Sequence, residues 1–82
     1  MKISIDISYY PLHEEYVIPI LDFIARMNLH KGLLVQTNGM STQVFGDYDD
    51  VMNAITVEIK KSFELPHSVF VLKIVNANLQ KS

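Results

Sequence analysis

The chain has 82 residues, 49% of them hydrophobic and 20% charged, a globular balance that excludes a disordered tail and leaves room for one domain over residues 1–82. Its 7 basic and 9 acidic side chains give a formal net charge of -2, which disfavours an electrostatic nucleic-acid binder. The absence of cysteine excludes disulfides, thiolate catalysis and cysteine-ligated zinc.

Ile3, Ile5, Ile7 and Tyr9 alternate with Ser4, Asp6, Ser8 and Tyr10. A period of two predicts a half-buried strand, which Pro11 ends because proline cannot donate to a ladder. Between Glu14 and Leu29 the period becomes helical, with Val17, Ile20, Leu21, Ile24 and Met27 on one stripe. Pro19 requires the helix to begin near Glu15 or Tyr16, so that the proline falls in the first turn. Gly32 suits the exit. Leu33 to Thr37 and Met40 to Gly46 read as two strands around Asn38-Gly39, the pair that favours a type I′ hairpin turn. That turn sets Thr37 opposite Met40, Val35 opposite Thr42 and Leu33 opposite Val44 on the apolar side. Leu34 and Gln36 then face Gln43 and Ser41 on the other.

Asp47 reads as the N-cap of a second helix, with Asp50 at the capping-box position. Val51, Met52, Ile55, Ile59 and Phe63 form its stripe, and Pro66 stops it. Ser68 to Asn76 is the last strand, with Phe70, Leu72 and Ile74 on one face and Val69, Val71, Lys73 and Val75 on the other. The tail, Ala77 to Ser82, is expected to fray.

The order strand, helix, strand, strand, helix, strand predicts an α+β fold. With two right-handed crossovers it is a ferredoxin-like βαββαβ sandwich, a four-stranded antiparallel sheet with two helices on one face. The expected strand order is fourth, first, third, second. The other face carries Ser4, Asp6, Ser8, Tyr10, Leu34, Gln36, Ser41, Gln43, Phe45, Val69, Val71, Lys73 and Val75. Three valines, Phe45 and Leu34 are more apolar area than a solvated face needs. They favour a sheet-to-sheet subunit contact through this open face. Asp6 and Lys73 lie on neighbouring strands, within reach of an ion pair.

Catalytic apparatus is lacking. His13, His30 and His67 are scattered, without metal-ligand spacing. Asp47, Asp49 and Asp50 are explained by the helix start. No glycine-rich phosphate loop and no nucleophile elbow occur. Arg26 is the only arginine and lies mid-helix, which disfavours an acylphosphatase-type enzyme. An RNA-recognition domain would show aromatics on a basic surface. The start has no signal-peptide pattern and no apolar run reaches membrane-spanning length, so the expected setting is the cytoplasm. The expectation is therefore a binding protein, not an enzyme, with no metal or cofactor, no nucleic-acid partner and no membrane. Its remaining polar group is Asn38, Ser41, Thr42, Ser8, Tyr10 and Asn76. Singly, each is explained by a turn, a strand face or a satisfied core threonine.

Two stretches carry a resemblance. Ile3 to Leu12, ending Ser8-Tyr-Tyr-Pro-Leu, resembles the first strand and turn of the YkoF-related thiamine-binding family. Thr37 to Met52 is similar to that family's hairpin and second-helix start, with a Ser-Thr-x-x-x-Gly core at Ser41, Thr42 and Gly46. Glu15-Tyr16 and Phe70 to Asn76 also fit, so the likeness spans nearly the whole chain, in the manner of the short single-domain branch. It implies a ferredoxin-like fold, assembly into a homodimer or homotetramer, and binding of thiamine or its hydroxymethylpyrimidine moiety without turnover. An aminopyrimidine is read by hydroxyls, amides and backbone groups, with its flat face on an aromatic ring. Ser41 and Thr42 match the family motif as polar contacts. Ser8 and Tyr10 match the first-strand pattern, Tyr10 as a stacking ring. Asp6 would offset a thiazolium charge, and Asn38 completes the expected ligand-binding set. Gly46 is expected to permit close strand-to-helix packing. The alternative is an ACT-like regulatory module acting through subunit association.

Overall fold

Ile3, Ile5 and Ile7 are at most 2% exposed, and the rest of the fold is arranged around them. The computed structural model describes residues 1–80. Its elements are β1 (Lys2–Pro11), α1 (Val17–Asn28), β2 (Leu34–Thr37), β3 (Thr42–Asp47), α2 (Tyr48–Ser62) and β4 (Ser68–Val75). The sheet is antiparallel in the order β2-β3-β1-β4, the ferredoxin-like arrangement expected from the element order. Both helices cover one face, where the β1 isoleucines and Val44 meet Phe23, Met27, Val51, Ala54 and Ile55. No helix among the described residues is long and apolar enough to cross a membrane.

Helix α1 starts at Val17 with Tyr16 as its N-cap, so Pro19 sits in the first turn, where no helical hydrogen bond is lost. Its buried stripe differs from the expected one. Phe23 and Met27 are buried, Ile20 and Ile24 are half-buried, and Val17 and Leu21 are 46% and 58% exposed. The apolar run from Val17 to Ile24 permits two overlapping stripes. The one containing Phe23 wins because that ring packs on Tyr9 (centroids 5.7 Å) and Phe70 (5.1 Å).

Helix α2 buries Val51, Ala54, Ile55 and Ser62. Phe63, expected on that stripe, is the C-cap residue and 55% exposed, touching Phe70 edge-on at 5.7 Å. Asp47 takes the N-cap position, yet its carboxylate makes no cap bond. It pairs with Lys2 Nζ at 3.3 Å, while the Tyr48 N–H donates to the Met1 carbonyl at 2.8 Å. Gly46 is where strand and helix approach most closely. A Cβ there would stand 3.1 Å from Leu33 and 3.2 Å from Val51 side-chain atoms.

The hairpin is not the expected two-residue turn. Thr37 pairs with Thr42 and Val35 with Val44, leaving Asn38 to Ser41 as the loop. Neither Asn38 nor Gly39 has a positive φ, so the type I′ geometry is absent. Asn38 Oδ1 instead accepts the N–H groups of Met40 (2.8 Å) and Ser41 (3.1 Å), a side-chain-closed turn that asparagine forms readily. The register slides by two positions. Because two is the strand's own period, every residue still paired keeps its expected face, while Met40, expected opposite Thr37, falls in the loop and is exposed.

The tail corrects another expectation. Strand β4 ends at Val75, and the chain then folds back over the open face instead of fraying. Ser4 Oγ donates to the Ala77 carbonyl at 2.7 Å and accepts the Leu79 N–H at 2.9 Å. Ser4 and Phe45, expected on a bare surface, are consequently 6% and 7% exposed. Lys81 and Ser82 lie outside the described residues. Ile74 points to the helix side but is 50% exposed, since β4 is an edge strand that the helices do not fully cover.

Candidate functional site

The hairpin loop and α1 enclose a pocket of about 110 Å³, the scale of a single ring. Ile7 and Tyr9 form its floor, and Ile20, Phe23 and Ile24 its α1 wall. Thr37, Asn38, Ser41 and Thr42 form the opposite wall. Tyr9 is held rigid by stacking on Phe70 (4.2 Å, 13°), and Phe23 meets it edge-on. Tyr9 Oη lies 3.2 Å from Ser68 Oγ. One side of the pocket is thus aromatic and fixed, the other polar.

Helix α1 is held in place by its arginine. Arg26 Nη1 donates to Glu58 Oε1 (2.7 Å) and to the Glu58 carbonyl (3.0 Å). Nη2 reaches Ser62 Oγ (2.7 Å) and Nε reaches Asp22 (2.9 Å). His30 Nε2 lies 2.6 Å from the second Glu58 oxygen. Burial pushes the Glu58 carboxyl up, but the hydrogen bonds from His30 and Arg26 outweigh it, leaving the group below the ordinary glutamate value.

The expected site residues divide between the two faces of the sheet. Thr42 is 6% exposed on the helix side, its hydroxyl 3.2 Å from that of Thr37. Asn38 and Ser41 line the same pocket, with the Asn38 side-chain oxygen committed to the turn and its amide NH₂ free of that role. The Ser41 hydroxyl turns away and donates to Asp6 Oδ1 at 2.5 Å. Asp6, Ser8 and Tyr10 alternate on the open face. Ser8 is opposite Val71, and Tyr10 is opposite Val69 and 53% exposed. The fold therefore brings Asn38, Ser41 and Thr42 together and ties Asp6 to them through Ser41. Ser8 and Tyr10 lie apart from this pocket. Asp6 and Lys73 are register partners but form no ion pair; the Asp6 carboxylate accepts from Ser41.

Sequence reasoning missed Tyr9 and Phe23 as ring walls, and Glu58 as the partner of Arg26. The i, i+3 spacing of Ile20 and Phe23 was the available signal for the first. The second had none, since Arg26 and Glu58 meet only once the helices pack.

No family model matches the chain, and no curated protein matches it. Solved structures do. Hypothetical protein MJ1052 from Methanocaldococcus jannascii is similar at 23% identity and TM-score 0.81, covering 98% of this chain and 84% of that one. Protein SP2199 from Streptococcus pneumoniae is similar at 20% identity and TM-score 0.87, covering 96% and 90%. A putative thiamine biosynthesis/salvage protein from Thermotoga maritima is similar at 18% identity and TM-score 0.83, covering 94% and 85%. At these identities the likeness establishes the ferredoxin-like fold.

Proposed function

We propose that the protein binds the aminopyrimidine ring of thiamine, or free hydroxymethylpyrimidine, in the hairpin pocket and releases it unchanged. It would serve as a carrier, buffer or sensor in the cytoplasm. One juxtaposition carries the reading: Thr37, Asn38 and Thr42, the two threonine hydroxyls 3.2 Å apart, line a single-ring space together with the stacked Tyr9 ring and Phe23. An aminopyrimidine presents amino donors beside ring-nitrogen acceptors on one edge. Hydroxyls and an amide read such an edge, while the ring's faces and apolar edge suit the aromatic side. The Ser41-Thr42…Gly46 likeness to the YkoF-related family supports the same ligand. So does the fold shared with the Thermotoga protein, which is named for thiamine biosynthesis or salvage.

Thermal unfolding with thiamine, hydroxymethylpyrimidine and thiamine phosphates tests the reading at fixed protein concentration. A ligand at a hundred times its Kd adds about 2.7 kcal/mol, which is several degrees in a small domain. Absence of a shift with all of them at millimolar concentration would remove the proposal.

A second reading has its own observation. Leu34, Val69, Val71 and Val75 remain 37%, 41%, 49% and 37% exposed on the open face, which suits an association module in which two sheets stack as a homodimer or homotetramer. Sedimentation over a range of concentrations decides it. A monomer throughout removes this reading.

A further inference from the structure

The open face holds a second and larger concavity. The strand register aligns Leu34, Phe45, Ser4 and Val75 in one row across all four strands. Gln36, Gln43, Asp6 and Lys73 form the next row. The first row is apolar apart from Ser4, and Ser4 is consumed in holding the tail. The tail so held places Leu79 as a wall beside Phe45 and Val75. The result is a cleft of about 490 Å³, within the usual range for small-molecule sites. It has a greasy half and a polar half, and the polar half contains both signs of charge on neighbouring strands.

Those two charges have a defined sense. The Asp6 carboxylate lies on the central strand with one oxygen accepting from Ser41, and Asp6 lines the cleft together with Lys73. Lys73 lies on the edge strand, and among the described residues it is in no ion pair. Opposed side chains on adjacent strands stand roughly 5 Å apart at Cβ. A lone anion drawn to Lys73 would meet the Asp6 carboxylate, and a lone cation drawn to Asp6 would meet the ammonium. A molecule carrying both charges close together satisfies both. We infer that this cleft binds a free α-amino acid with a bulky apolar side chain. Its carboxylate lies at Lys73, its ammonium at Asp6, and its side chain over Phe45 and Val75 against Leu79. Gln43 offers a further donor or acceptor beside Asp6. The site is on the opposite face of the sheet from the hairpin pocket and is independent of the pyrimidine reading. The far end of the face, with Tyr10, Val69 and Val71, stays clear of it.

The test is titration of the full chain with leucine and with phenylalanine, followed by amide chemical shifts. The expected result is movement at Asp6, Gln43, Lys73, Val75 and Leu79, with Tyr10, Phe23 and Val69, which lie away from the cleft, silent. Leucinamide and 4-methylpentanoate, each lacking one charge of leucine, should bind at least about tenfold more weakly, as loss of a charged hydrogen bond implies. Lys73→Met and Asp6→Asn should each weaken leucine binding by about the same factor, while Thr42→Val leaves it unchanged. Lys73 is exposed and unpaired, so its replacement does not endanger folding. No movement at millimolar amino acid overturns the inference. 4-Methylpentanoate binding as well as leucine also overturns it, as do shifts that follow protein concentration instead of ligand, which would assign the cleft to a second copy of the chain.

Discussion

Ser41 Oγ donates to Asp6 Oδ1 at 2.5 Å, a diagonal across the end of the β1–β3 ladder: Ser41 lies one position beyond the last pair, Ile7 with Thr42, and Asp6 one position inside it, opposite Gln43. This bond reaches back from the loop to a residue already paired in the ladder, and it fastens the hairpin loop to the central strand. Ser41→Ala should lower stability by about 1 kcal/mol, toward the lower end for a bond to a charged group because the site is half-exposed. Urea denaturation reads the change. An unaltered midpoint would show that the loop is fastened by Asn38 alone.

Thr42 separates a packing role from a recognition role. Valine has nearly the same shape, and the abandoned Thr37 hydroxyl is exposed enough to turn to water. Thr42→Val should therefore change stability by less than about 1 kcal/mol. Affinity for hydroxymethylpyrimidine should fall by roughly 1–3 kcal/mol, the typical cost of an unpaired buried polar group. Calorimetric titration of both proteins checks it, and equal affinities would mean that Thr42 is only a core residue.

Ser4 holds the tail by both of its hydrogen-bonding roles at once. Ser4→Ala should release Ala77 to Leu79 and expose Phe45. Two net hydrogen bonds amount to about 1–3 kcal/mol. The sharper readout is amide exchange at Leu79, which should accelerate by about tenfold or more, while exchange in β1 and β3 is little changed.

Glu58 links Arg26 and His30 across the two helices. Its carboxyl lies below the ordinary glutamate value in the folded chain. The unfolded chain therefore binds the proton more readily, and the ionised group stabilises the fold. That contribution is fully present above the unfolded glutamate value and is lost as pH falls through the depressed folded one. Glu58→Gln should cost about 1–3 kcal/mol at neutral pH. The gap between the two proteins should narrow in the acid range, as followed by urea midpoints against pH. A gap independent of pH would remove the electrostatic account.

Much of the fold was legible because its signals are local and periodic. Alternation along Ile3 to Tyr10 assigns β1 and its buried face without reference to any other element. Pro19 and Pro66 bound the helices by steric rules that act within one turn. The faces of the hairpin survived a wrong turn type because an error of two positions restores the parity. Had the loop differed by one residue, Thr42 would have pointed to the open face and the pocket would have had no hydroxyl wall.

The sequence by itself determined the element order, the strand faces and the placing of Asn38, Ser41 and Thr42 around one loop. Each follows from the geometry of a few adjacent residues. Tertiary structure alone decided that Phe23, not Leu21, faces the core, since only the meeting with Tyr9 and Phe70 distinguishes two equally apolar stripes. It alone decided that Glu58 receives Arg26, and that Ser4 captures a tail more than seventy residues away. Contacts between distant residues depend on how whole elements dock, and no local period encodes them. The two concavities are of this kind, for each exists only where a loop or tail has come to rest against a sheet.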